Sequence, residues 1–301
     1  MAAYLGELAA LATSVMWSGT ATFFTFGARQ VGSVVINRMR LLVALVLLVV
    51  THWLFLGQLL PFYAEPQRWM WLGLSGIIGL VLGDAFLFQS YLWIGPRLGM
   101  LMMSAAPVIA ALLAWLFLAE NLTALQWLGI VVTVGGIALV VLDRSQPRRQ
   151  ADAQRNYRLG ILFGFGAAAG QAIGLNLAKK GLGGDFPALS GNVIRMTAAA
   201  GSMWLATFLA RQAAPTWRRV RESPAVITPL LAGSITGPFL GVWLSLIAVQ
   251  RTPVGVASTL MALPPVFLLP VGHFIFKERI GFEAIAGTLA AIVGVALLFL
   301  A

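Results

Sequence analysis

The chain has 301 residues, 59% of them hydrophobic and 10% charged, with a formal net charge of +10 and a mean hydropathy of +0.89. A soluble domain carries about 25% charged residues, so the composition excludes one. The long unbroken apolar runs exclude a β-barrel, whose strands alternate over about ten residues. The 20 basic residues sit in short gaps between apolar runs, as in membrane proteins that fix their orientation by charge, and do not form the stripe a nucleic acid would need.

Taken in chain order, runs of roughly 20 apolar residues predict spanning helices. The N-terminal stretch MAAYLGELAALATSVMW has no basic region before it and no evident cleavage site, so it reads as a retained first span. Charged or turn-rich gaps divide the first half into spans at about 6–28, 34–56, 69–93, 97–118 and 122–142. A polar linker, DRSQPRRQADAQRNYR, follows over 143–158. The second half divides at about 159–178, 187–210, 225–248, 253–276 and 281–300. The expected fold is therefore an all-α membrane protein of ten transmembrane helices. Its parts are a first five-span repeat over 1–142, the linker, and a second over 159–301.

The halves repeat. A shift of 158 residues brings Gly79 onto Gly237, Gly83 onto Gly241, Pro107 onto Pro265, Glu120 onto Glu278, Gly129 onto Gly287 and Gly136 onto Gly294. A shift of 155 matches Asn37–Arg40 with Asn192–Arg195, an Asn-x-x-Arg pair early in spans 2 and 7. Five is odd, so the second half must enter from the opposite face. Such inverted repeats, with a site near the midplane, are a recurrent plan of secondary transporters.

The block LMMSAAPVIAALLAWLFLAENLTALQWLGIVVTVGGIALVV and its counterpart STLMALPPVFLLPVGHFIFKERIGFEAIAGTLAAIVGVALLF share a mid-span Pro, a closing Glu and a Gly-containing last span. With Val15–Gly19 (VMWSG) in the first span, this pattern resembles the drug/metabolite transporter superfamily, EamA type. The resemblance covers essentially the whole chain. It implies a multi-pass protein of the bacterial inner membrane that exports small metabolites, amino acids or drugs through a cavity between the halves. The partners implied are a small-molecule substrate and the lipid bilayer; a monomer is compatible with the pattern, which leaves the oligomeric state open.

Asp84 is the one carboxylate inside its span. An aspartate at a helix centre costs roughly 2.5 to 3.5 kcal/mol on insertion scales, so it faces a cavity or a partner. We expect it to be the protonatable or cation-binding group of a proton-coupled exporter, or else to form a structural ion pair with Arg40 or Arg195. Those arginines could hold a carboxylate or phosphate in their planar fork, while Arg40, beside Arg38, could instead snorkel to an interface. Gln89, Gln171, Asn176 and Asn192 could line a wet path or bond between helices. Trp17, with Phe23, could form an aromatic wall, and Pro107 and Pro265 are candidate hinges. Glu120, Glu278 and His273 read as structural or interfacial.

An enzyme is not expected. An intramembrane aspartyl protease needs two facing carboxylates and Gly-x-Gly-Asp, whereas Val81 stands where the first Gly would be and no other Asp lies in a span. No Gly-x-Ser-x-Gly or His-Glu-x-x-His spacing occurs, and cysteine is absent, so neither a metal nor another cofactor is expected. A lipid-type flippase or a channel on the same fold is the alternative. Orientation is contested. Loops after odd spans hold Arg29, Arg97, the linker's five arginines, Arg211, Arg218, Arg219, Arg221, Lys277 and Arg279; loops after even spans hold Arg68, Lys179, Lys180 and Arg251. By the positive-inside rule the odd-span loops are cytoplasmic and both termini outside, whereas the resemblance implies termini inside.

Overall fold

The computed structural model describes residues 4–109, 111–112, 123–141, 151–251, 257, 260–278 and 280–299. Glu120, Arg279, the ends of spans 4 and 9 that face the gaps, and the first half of the linker lie outside them. Among the described residues every regular element is helical.

In chain order these are α1 (Leu5–Val31), α2 (Ser33–Leu56), α3 (Pro66–Ser75), α4 (Asp84–Met103), α5 (Ala124–Val141), α6 (Ala151–Gly181), α7 (Ala188–Leu209), α8 (Ala213–Glu222), α9 (Ile227–Ser234), α10 (Val242–Arg251), α11 (Pro264–Phe274) and α12 (Phe282–Phe299). Wide π-type turns over Gly76–Gly83 and Ile235–Gly241 join α3 to α4 and α9 to α10 into continuous runs. Five helical runs among the described residues are long and apolar enough to cross a bilayer, or six if α7 and α8 count as one bent span.

α1 is long enough to span but is dotted with Thr13, Ser14, Ser18, Thr22 and Thr25, all buried. Each hydroxyl donates to a carbonyl three or four residues back on its own helix. The helix thereby carries polar residues into the bundle with no donor left open.

The packing follows the repeat. α2 lies against α7 and α5 against α12, and each half's first helix meets the other half's third span: α1 against α10, α6 against α4. The α5–α12 crossing is nearly symmetric. Gly136 abuts Gly287, Gly294 abuts Thr133, and Thr133 Oγ1 donates to the Ala291 carbonyl at 3.4 Å. Small residues let the backbones approach, as membrane helices do in place of hydrophobic drive.

The two ends of the bundle are separated by their contacts. At one end the Arg29 guanidinium covers the Phe276 ring, Phe26 stacks on Phe276, and Arg38 donates to Thr216 of α8. At the other, Arg68 donates to the Gly181 and Gly183 carbonyls, and Gln250 donates to that of Phe186. α1 therefore runs toward the first end and α6 away from it, the sense an inverted repeat requires.

The expected break between spans 3 and 4 falls at Gly95, where α4 turns a corner with a φ of +81° that suits glycine. The second part of the polar linker, 151–158, is already helical, since α6 starts at Ala151 and Ala, Gln and Arg are good helix formers. Two expectations need correction. Arg97, counted as a loop charge, is 2% exposed. The basic loop between spans 7 and 8 is the amphipathic helix α8, bent 102° from α7. Its Trp217 lies 6.0 Å from Trp204, and Arg218, Arg219 and Arg221 point outward.

Candidate functional site

The site is organised by the wide turn ahead of Asp84. A π-type turn loosens the backbone ladder and occurs often at functional sites; in a membrane its freed carbonyls need new donors. α2 supplies them. Asn37 Nδ2 donates to the Val81 carbonyl at 3.2 Å, and Arg40 Nη2 donates to the Leu80 carbonyl at 2.7 Å. The same Nη2 donates to Asp84 Oδ2 at 2.5 Å, while Arg40 Nε donates to Asn37 Oδ1 at 2.8 Å. The guanidinium also lies over the Phe88 ring, 4.9 Å from its centroid. A cation inside an apolar bundle is tolerated when it is paired and hydrogen-bonded, and Arg40 meets both conditions.

The second half repeats the scaffold. Shifted by 158 residues, the turn at 235–241 falls on 77–83, and Pro238 falls on Leu80. Asn192 Nδ2 donates to the Pro238 carbonyl at 3.1 Å, one position before the counterpart of Val81, whose carbonyl Asn37 holds in the first half. Pro238 explains the wide turn here, since it has no N–H to close an ordinary one. In the first half three glycines, at 76, 79 and 83, accompany it.

Arg195 crosses between the halves. Its backbone packs on Gly76, where any Cβ would strike the Arg195 carbonyl, and its Nη2 lies beside Gly79. It is 4% exposed and stands within electrostatic reach of Asp84. Asp84, Arg40 and Arg195 are thus brought together where one helix from each half crosses the first wide turn. Asp84 is the least covered of the three, its side chain 17% exposed.

The other sequence candidates are dispersed. Gln89 accepts a hydrogen bond from Ser33 at 2.6 Å, at the start of α2 and away from the cluster. Asn176 is exposed and donates to the Ala172 carbonyl of its own helix, and Gln171 is half-buried on α6. Trp17 is half-buried with its indole against Gly241 in the second wide turn. Pro107 and Pro265 do not kink a helix from within. Each is the second residue of a helical segment that resumes after a break at 104–105 or 262–263, a position where a proline's missing N–H is harmless.

Of the two readings of Arg40 the snorkelling one fails: it is 2% exposed and forms the ion pair with Asp84 that was the alternative. Sequence reading missed two features. Arg97 Nε donates to Glu278 Oε2 at 2.8 Å across the two halves, so Glu278 is structural, as expected, but through this partner. His52, fully buried, contacts the Gln58 carbonyl and Ser190, which also meets Tyr63. That network closes the opposite end of the bundle.

Among the described residues no group of His, Cys, Asp and Glu could hold a metal. Part of the chain, 88 residues or 29% of it, is 35% identical to an uncharacterized transporter of Synechocystis sp. (strain ATCC 27184 / PCC 6803 / Kazusa), and the match spans about a quarter (26%) of that relative. A protein known from a crystal structure superposes with a TM-score of 0.65 at 15% identity, over 98% of this chain and 96% of its own; at that identity the likeness concerns the fold alone. The model of the EamA-like transporter family matches residues 4–142 and again 158–300. Two matches cover nearly all of a chain whose helices pack as two related halves: it belongs to the EamA-like transporter family.

Proposed function

We propose that the protein is a secondary active carrier that exports small metabolites, amino acids or drugs by alternating access. Its two five-span halves, ten spans in all, would rock about the Arg40–Asp84–Arg195 cluster. Family membership supports a transporter with a small-molecule substrate in a bilayer and points away from an enzyme. The observation that carries the finer reading is the cluster's position. Three charged side chains, drawn from both halves, meet at a widened turn inside the apolar bundle, and intramembrane ionisable groups mark substrate or ion pathways. Inverted repeats supply two related conformations that expose such a site to either face in turn.

Counterflow in proteoliposomes tests the reading. A carrier preloaded with unlabelled substrate accumulates labelled substrate transiently, whereas a channel only equilibrates it. Equilibration without overshoot would establish the channel alternative, and movement of a labelled lipid between leaflets the flippase.

The charge count supports a bacterial inner-membrane orientation with the end bearing Arg29, α8 and Lys277 in the cytoplasm and both termini outside. A C-terminal fusion to a reporter active only in the cytoplasm is therefore expected to be silent. An active fusion would reverse the orientation.

A further inference from the structure

We infer that the Arg195 guanidinium is the docking group for a substrate carboxylate, so that the carrier takes small organic acids rather than cations. This rests on the carrier reading above and names the substrate class of that same site.

The two Asn-x-x-Arg pairs provide the argument, because repeat-related residues stand in different states. In the first half the pattern is complete: Arg40 Nε is bonded to Asn37 Oδ1, and Nη2 to the Leu80 carbonyl and Asp84. In the second half, among the described residues, only Asn192 Nδ2 is engaged. Asn192 Oδ1 and Arg195 Nε, the counterparts of the bonded first-half pair, are both buried without a partner among the described residues. Arg195 has instead reached across to Gly79 of the other half. Buried polar groups are nearly always bonded, and an exception calls for a functional account.

Charge narrows that account. The cluster holds two guanidiniums and one carboxylate, and Asp84 is committed to Arg40 at 2.5 Å. The residue equivalent to Asp84 in the second half is Val242, so no second acid answers Arg195. One positive charge is left over. A guanidinium offers paired donors in a planar fork that matches a carboxylate, and a single carboxylate neutralises one unit of charge. A cationic substrate would meet the surplus as repulsion.

Beside one arm of the fork stands a glycine, Gly79. A Cβ built on Gly79 would stand 3.7 Å from Arg195 Nη2, so any larger residue there would occupy the space beside the donor. The structural role open to an arginine here, holding the wide turn's carbonyls, is filled by Arg40 in its half; in the other half Asn192 alone bonds the equivalent Pro238 carbonyl.

The test is ligand stabilisation of the purified full chain, read as the melting temperature. The probes are L-lactate, benzoate and L-leucine, each beside its primary amide, with tetraphenylphosphonium as the cation. At least one carboxylate is expected to raise the melting temperature while its amide does not. Arg195→Gln is expected to weaken that carboxylate about tenfold or more, with partial recovery in Arg195→Lys. Should Arg195→Gln fail to fold, the carboxylate–amide comparison on the wild-type chain decides alone. The inference is overturned if no carboxylate of the panel stabilises, if amides or tetraphenylphosphonium stabilise equally, or if folded Arg195→Gln binds as the wild type does. Counterflow keeps the two readings apart. A bound carboxylate with no counterflow refutes the carrier and leaves the docking group standing, whereas counterflow of tetraphenylphosphonium with no carboxylate binding does the reverse.

Discussion

Asp84→Asn is expected to destabilise the folded chain by about 3–5 kcal/mol, the cost of removing one partner from a buried ion pair. The size follows from what stays behind. Arg40 is 2% exposed, its Nε and Nη2 are held by Asn37 and the Leu80 carbonyl, and it cannot swing to an interface without abandoning the wide turn. An asparagine keeps the shape and can still accept a hydrogen bond but removes the charge. The Arg40→Met/Asp84→Leu double variant, which removes both charges, is expected to recover most of the loss, since a buried pair exchanged for apolar residues is often neutral. Thermal melting in one detergent compares the three. A single variant as stable as the wild type would mean that the pair is open much of the time. The same protein decides the coupling role. If Asp84 carries the transported proton, the Arg40 contact must break in each cycle, and folded Asp84→Asn loses the pH dependence of transport. Retained pH dependence assigns Asp84 to positioning Arg40 and the turn.

Helical runs and their repetition were legible because a bilayer imposes length and apolarity on each span, and Pro107 and Pro265 mark matching breaks in the two halves. That Asp84 needs a partner or a cavity followed from the cost of a carboxylate at that depth, and Arg40 and Arg195 were both legible as partners. Which of the two takes the pair was not. Whether Arg40 turns inward or snorkels depends on which face of α2 crosses the Gly76–Gly83 turn, and no local pattern in NRMR encodes that crossing. Arg97 was counted as a surface charge because a charged residue between two apolar runs normally lies in a loop. Its acceptor, Glu278, is 181 residues away, beyond the reach of any local reading. Helix α8 did carry a signal, with Trp217 and Val220 on one side and arginines between them, but a count of charges per loop erases periodicity. Residue type alone does not say where a polar side chain bonds. Gln89 and Asn176 are as rare in such spans as Asn192, yet they bond to Ser33 and to their own helix.

Glu278→Gln is expected to open the bundle at the end that bears Arg97. This pair joins the corner after α4's Gly95 break, in the first half, to the segment after α11, in the second. Its side chains are 3% and 21% exposed. Around it, Gly272 packs on both Arg97 and Glu278, the Glu278 N–H donates to the Gly272 carbonyl, and Phe276 is held by Phe26 and Arg29. Rocking one half against the other toward this face has to break the Arg97–Glu278 bond. Among the described residues Arg97 Nη1 is already buried without a partner, so replacing the carboxylate by an amide leaves a buried cation with a weaker acceptor and no counter-charge. A shift of 1–3 kcal/mol between states changes populations about 5- to 150-fold. The chain has no cysteine, so one introduced thiol reports alone. Leu268, on α11 and fully buried, is the place for it. In a Leu268→Cys background, Glu278→Gln is expected to speed modification by a membrane-permeant maleimide roughly tenfold, within that range, with the melting transition still cooperative. An unchanged rate would show that the pair only braces this end, and a faster rate with a lost transition would report unfolding instead of opening. Arg97→Gln in the Glu278→Gln background removes the stranded cation, so the labelling rate is expected to fall back toward that of the parent. The opening is then traceable to the unpaired charge and not to the shape of the side chain.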